Sequence, residues 1–247
     1  AIALKNINRN KKIVMISPPA IALINQIRKA IPPFGLLTVG ATVEERGYEN
    51  LLCIDSVLEG FENVVPDKYE GFIKYGLEDD EIAKRVEEFG ADFVGITVLF
   101  SGMAECGYSV ARAIKKRLPD LPICIGGIHI TAVNKQKLML EQKSLDFVIS
   151  GEGDITFPDM EKYFDINIPF SPFVQSPRVG TIITSRGCPA NCNFCFISWT
   201  AAKDRGDNKP YRTFSADYTV RMIEHLIENY GIKELQILDD SFTVDYH

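Results

Sequence analysis

The sequence predicts an α/β protein: a doubly wound parallel-sheet domain, then the beginning of a second βα unit. Three observations carry this. The first two-thirds of the 247 residues alternates short runs rich in β-branched residues with longer amphipathic stretches, as βα units around a parallel sheet do. Residues 165–178 (DINIPFSPFVQSPR) lose that periodicity and contain three prolines, which reads as a linker. A further strand, helix and strand follow it.

In the first domain, residues 1–164, strands are expected at 12–17 (KIVMIS), 50–55 (NLLCID), 92–98 (DFVGITV), 122–126 (PICIG) and 146–150 (DFVIS). Helices are expected at 34–46, 79–89, 104–118, 131–143 and 155–164. Five strands buried on both faces suggest a flavodoxin-like (Rossmann-like) sheet. In the second unit, residues 179–247, the pattern predicts a strand at 179–185, a long loop over 186–210, an amphipathic helix over 215–230 and a strand over 233–238. About 70 residues fall short of the roughly 200 or more of a closed βα barrel. The first residue is Ala and the last follows a strand closely, so the chain reads as a fragment.

With 27 basic against 33 acidic residues, the net charge is −6. Phosphate neutralisation needs a Lys/Arg excess on one surface, so nonspecific nucleic-acid binding is not expected. No apolar run approaches the roughly 20 residues of a membrane helix, and the opening residues AIALKNINRNKK lack the uninterrupted apolar stretch of a signal peptide. A cytoplasmic protein without a membrane span is the default expectation.

In doubly wound sheets the ligand crevice lies outside the carboxyl ends of the strands. Three such ends stand out: Ser17-Pro18-Pro19, Gly126-Gly127-Ile128-His129 and Gly151-Glu152-Gly153-Asp154. Glycines there allow a close backbone approach to a ligand. They serve equally as turn residues, and spacing alone does not decide between the two.

Of the six cysteines, Cys53, Cys106 and Cys124 are scattered on or beside apolar runs and read as core residues. Cys188, Cys192 and Cys195 fall within eight residues on the loop after a strand. Structural zinc usually needs four protein ligands in two pairs, and no second pair is at hand. Three thiolates suit three irons of a 4Fe-4S cluster, with the fourth iron open to a small molecule.

The C-x3-C-x2-C spacing, with Phe194 directly before the third cysteine, resembles the radical S-adenosylmethionine superfamily. The resemblance implies that Cys188, Cys192 and Cys195 ligate the cluster. Its open iron would chelate S-adenosylmethionine, and reduction would cleave this to a 5′-deoxyadenosyl radical. It also implies an adenine contact from the Phe194 backbone and an amino-group contact at Asp239-Asp240-Ser241. Read bare, those acidic residues are also an exposed strand end or a helix cap.

The first domain resembles the cobalamin-binding domain that precedes the barrel in one large subfamily of these enzymes. The residues that carry the likeness are 32–37 (PPFGLL), Gly126-Gly127-x-His129, and Asp146 through Ser150 to Gly151-Glu152-Gly153. Arg212-Thr213-Phe214-Ser215 and 238–242 (LDDSF) continue it into the barrel. Gly126, Gly127, His129, Gly151 and Glu152 are the expected cobalamin contacts. One departure matters: Ser17-Pro18-Pro19 has neither the Asp nor the His of the D-x-H-x-x-G motif that supplies a cobalt ligand. Asp245-Tyr246-His247 matches half of that motif in the wrong domain. Cobalamin is therefore expected base-off without a protein histidine on cobalt, His129 being a loop contact or a plain surface residue.

The commonest chemistry the resemblance implies is methylation of an unactivated carbon, or of phosphorus, through methylcobalamin and the deoxyadenosyl radical. Some relatives close rings or rearrange skeletons. The implied partners are a small-molecule or peptide substrate and an electron donor such as flavodoxin or ferredoxin. Competing readings are a cobalamin-binding fragment without catalysis and a flavin-binding domain, which leaves the cysteines unexplained. Trp199 reads as packing, the acidic stretch 78–88 as a solvated helix face, and Arg186-Gly187 as loop-shaping.

Overall fold

The computed structural model describes residues 9–149, 176, 178–190, 192 and 211–244. The chain divides into two compact units, Ala1–Pro158 and Asp159–His247.

The first unit is built on five parallel strands. They are β1 (Ile13–Ser17), β3 (Leu51–Asp55), β6 (Phe93–Thr97), β7 (Ile123–Gly126) and β8 (Phe147–Val148), in the order β3-β1-β6-β7-β8. Taken as first to fifth strand of this sheet, that order is 2-1-3-4-5, the flavodoxin-like arrangement. Val14, Ile16, Val94, Ile123 and Ile125 are fully or almost fully buried, as strands with a covered sheet on both sides require.

Because side chains alternate, Val14, Ile54, Val94, Ile96 and Ile125 share one face. There they meet α3 (Asp79–Phe89) and α4 (Ala104–Arg117) through Ile82, Val86, Val110 and Ile114. α4 comes close to the sheet at Gly107, where a Cβ would stand 2.7 Å from Val98 Cγ2. On the other face the register places Cys53, Met15, Gly95 and Cys124 in one row across four strands. α1 (Phe34–Glu45) packs on that side, with Gly40 against Leu51.

Three differences from the sequence reading have physical reasons. A three-stranded antiparallel sheet of β2 (Ala20–Leu23), β5 (Phe72–Tyr75) and β4 (Val64–Pro66) was not expected. Its strands have three or four residues, too few for alternation to register. The expected helix at 131–143 is two helices, α5 (Ile128–Ala132) and α6 (Lys135–Glu141), because the Asn134 side chain accepts from Lys137 N–H at 3.0 Å and caps a new start. A short α2 (Ser56–Glu59) follows β3, capped by the buried Asp55 carboxylate, which accepts from Val57 and Leu58 N–H. Cys106 and Cys124 lie in the core as expected, whereas Cys53 is exposed, because its strand is the sheet edge. The helix expected at 155–164, Ser150 and the linker expected at 165–178 fall largely outside the described residues.

In the second unit β9 (Val179–Ile182) pairs in parallel with β12 (Glu234–Ile237), and α7 (Ala216–Tyr230) joins them on the chain. Gly180 lets α7 approach: a Cβ there would meet Ile232 at 2.5 Å and Leu226 at 3.3 Å. Ser215 caps α7 by accepting from Tyr218 N–H, and Gly231 ends it in the left-handed conformation. The strand expected over 179–185 stops at Ile182, and Ser185–Gly187 forms a separate strand, β10, antiparallel to β11 (Tyr211–Thr213). The loop expected over 186–210 therefore starts and ends on a pinned pair of strands.

Candidate cofactor site

At the carboxyl end of the parallel sheet, Gly127 carries φ 102°, and a Cβ there would lie 2.4 Å from the Val98 carbonyl oxygen. This glycine is required by the protein's own backbone. Gly126 differs: its nearest neighbour to a built Cβ is the Ile149 carbonyl at 3.4 Å, an ordinary contact.

His129 follows on the first turn of α5 and is 8% exposed, which removes the surface-histidine alternative. Its backbone N–H donates to the Val98 carbonyl at 3.2 Å. Nδ1 lies 2.9 Å from Ser101 Oγ and Nε2 3.1 Å from Tyr108 Oη. Burial lowers its pKa below the ordinary histidine value, so the ring is held neutral. Burial likewise raises the Tyr108 pKa, with the Glu105 and Glu141 charges adding to it. Both ring nitrogens are engaged, so the imidazole ties the turn after β6 and helix α4 to the loop after β7. Sequence reasoning missed Ser101 and Tyr108; nothing distinguishes them in the sequence until the fold brings them to His129.

Around these strand ends the surface is apolar. Phe100 (65% exposed), Leu99, Ile128 and Ile149 all present side chains to solvent just beyond β6, β7 and β8. Polar ends would be expected at an ordinary loop rim; an apolar rim suits the face of a large flat ligand. Beyond β1, Pro18 and Pro19 are buried and offer no ligating atom. The described part of this rim, with its exposed apolar side chains, fits a large flat ligand.

In the second unit, β10 hands the chain directly to Cys188, which is half-buried, while Cys192 is exposed. Gly187 has φ 80°, the conformation that lets the chain turn into this loop. Phe194, Cys195 and Trp199 lie outside the described residues, as do Gly151, Glu152 and 245–247. Among the described residues no three metal-ligating side chains converge. Three thiols within eight residues, Cys188, Cys192 and Cys195, are a donor set that suits an iron–sulfur cluster.

Asp239 and Asp240 end β12 beside that loop's entry. The Asp239 carboxylate accepts from the N–H groups of Thr184 at 2.6 Å and Ser185 at 3.1 Å, and from both their hydroxyls. Asp240 accepts from Gly187 N–H; burial, offset in part by that bond, raises its pKa above the ordinary Asp value, and Asp239 adds to the rise. The structure brings both aspartates to the segment that leads into Cys188.

Residues 21–161 match the B12 binding domain family. Over 96% of its length the chain is 28% identical to a cytidylyl-2-hydroxyethylphosphonate methyltransferase of Streptomyces wedmorensis, covering 56% of that protein. It is 27% identical, over 95% of its length, to an uncharacterized methyltransferase of Pyrococcus horikoshii, covering 54% of it. An anaerobic magnesium-protoporphyrin IX monomethyl ester cyclase of Synechocystis is 24% identical over 95% of the chain and 50% of that protein. The chain thus spans about half the length of the curated relatives it matches. With more than half of the chain inside the B12 match, the chain belongs to the B12 binding domain family.

Proposed function

We propose that this chain is the cofactor-binding part of a cobalamin-dependent radical S-adenosylmethionine methyltransferase acting on an unactivated carbon or on phosphorus. The observation that carries the reading is the order of parts in one chain: a B12-binding sheet with an apolar rim, then a βα unit whose first strand leads into three thiols. Two of the relatives above are named methyltransferases, one of them for a phosphonate. When bound, the cluster supplies the electron that cleaves S-adenosylmethionine, and the corrin carries the methyl group.

The chain's own residues bind and orient. In the division proposed, residues 1–164 hold cobalamin, 165–178 link, and 179–247 open the barrel. Leu99, Phe100 and Ile128, exposed apolar side chains at the strand ends, would bind the corrin and exclude water. Gly126, Gly127, Gly151 and Glu152 would hold the nucleotide tail, and His129, with both ring nitrogens engaged by Ser101 and Tyr108, would shape the wall beside them. Cys188, Cys192 and Cys195 would hold the cluster, the Phe194 backbone would meet the adenine, and Asp240, in the segment after β12 that also carries Asp239, would receive the amino group. A small-molecule or peptide substrate, an electron donor such as flavodoxin or ferredoxin and a cytoplasmic setting complete the reading. Among the described residues no helix is long and apolar enough to cross a membrane.

The test is anaerobic reconstitution with iron, sulfide and hydroxocobalamin, then assay of S-adenosylmethionine under reduction. A methyltransferase yields 5′-deoxyadenosine and S-adenosylhomocysteine together. The relative named a cyclase favours a second reading, ring closure, for which deoxyadenosine alone is expected. Neither product from the loaded protein would remove catalysis from the account.

A further inference from the structure

Asp239 does something more specific than line a site. β9 and β12 run as a parallel pair up to Ile182 and Ile237, and Leu238 N–H closes the last rung on the Ile182 carbonyl at 2.9 Å. Beyond it the chain leaves β12. The N–H groups of Thr184 and Ser185 have reached the point where the ladder ends, and the Asp239 side chain accepts both on Oδ1. Its Oδ2 accepts the two hydroxyls, with Ser185 Oγ at 2.8 Å. The Thr184 carbonyl then accepts from Phe214 N–H at 3.0 Å, and β10 begins its pairing with β11. One carboxylate therefore manages the crossover from one strand partner to the next, in a turn where Ser185 is 2% exposed. Cys188 follows three residues later.

A carboxylate offers about four lone-pair sites. All four are met here by Thr184 and Ser185, so none remains for an ammonium group. Resting on the cluster reading above, we propose that Asp239 is a positioning residue that locks the Thr184–Ser185 turn and so sets where Cys188 is delivered, and that it is not a contact to S-adenosylmethionine. Asp240, bonded to Gly187 N–H at the mouth of the loop, is the aspartate that remains for such a contact.

The experiment compares Asp239→Ala, Asp239→Asn and the pair Thr184→Ala with Ser185→Ala. Amide hydrogen exchange is read on the protein before cluster loading. Hydrogen bonds to a charged group are individually strong, so Asp239→Ala should speed exchange at Thr184 and Ser185 by about tenfold or more, with Val179–Ile182 unchanged. Asn keeps one acceptor for the two N–H groups and can donate to the hydroxyl oxygens, so Asp239→Asn should restore most of the protection. The Thr184/Ser185 pair should fall between, which keeps the test open should Asp239→Ala not fold.

After loading, the electron paramagnetic resonance signal of the reduced cluster should broaden in Asp239→Ala and sharpen again in Asp239→Asn. Titration of that signal with S-adenosylmethionine should give Asp239→Asn a dissociation constant within about threefold of the parent, roughly 0.7 kcal/mol. Unchanged exchange in Asp239→Ala, or S-adenosylmethionine affinity lost about tenfold or more in Asp239→Asn with exchange intact, overturns the proposal. A parent protein that takes up no cluster contradicts the proposed function instead, and the exchange result still decides the clasp.

Discussion

Gly126 and Gly127 are neighbours that answer to different constraints. At Gly127 a side chain meets the Val98 backbone at 2.4 Å with φ at 102°, so Gly127→Ala should destabilise the first unit by about 3 kcal/mol. Gly126→Ala should cost below about 1 kcal/mol in urea unfolding, yet weaken cobalamin if the nucleotide tail runs past it. Equal losses of stability in the two variants would contradict this division. His129 allows a test by pH. Its folded pKa is lowered by burial, so the unfolded chain takes up the proton first as pH falls past the ordinary value of about 6.5. The stability His129 confers is complete above that value and is lost as pH falls toward the folded one. Urea midpoints between pH 7.5 and 5.5 should slope downward in the parent and more gently in His129→Gln; identical slopes would contradict a buried neutral ring.

At the level of elements, Ser215 caps α7, the helix that covers the β9–β12 pair. Ser215→Ala should lower thermal stability of the second unit by about 1 kcal/mol, and Ser215→Asp should preserve it. The same elements show how far sequence reaches. The five core strands were legible because β-branched runs such as IVMIS and FVGIT are buried on both faces and need no partner to be recognised. The short antiparallel strands were not, since Val64–Pro66 and Phe72–Tyr75 are made strands by each other. The break between β9 and β10 was equally invisible: it depends on Asp239, 54 residues beyond Ser185. At the site, the cysteine spacing and the paired glycines were plain in the sequence. The burial of His129 was not, because its partners Ser101 and Tyr108 lie 28 and 21 residues earlier and meet it only through packing of α4 on the sheet.

At the scale of the whole molecule, the account requires one chain to carry two cofactors of different kinds. The sheet offers an apolar rim beyond β6, β7 and β8, and the second unit carries thiols on a loop whose ends are pinned. The two are separable by mutation, since Cys188 lies in the second unit and the five-stranded sheet in the first. The most direct measurement is therefore cobalt and iron per chain after anaerobic reconstitution and removal of unbound material. About one cobalt and about four irons per chain are predicted, with Cys188→Ala losing iron while keeping cobalt. A parent that retains iron without cobalt, or a Cys188→Ala variant with its iron intact, would contradict the account.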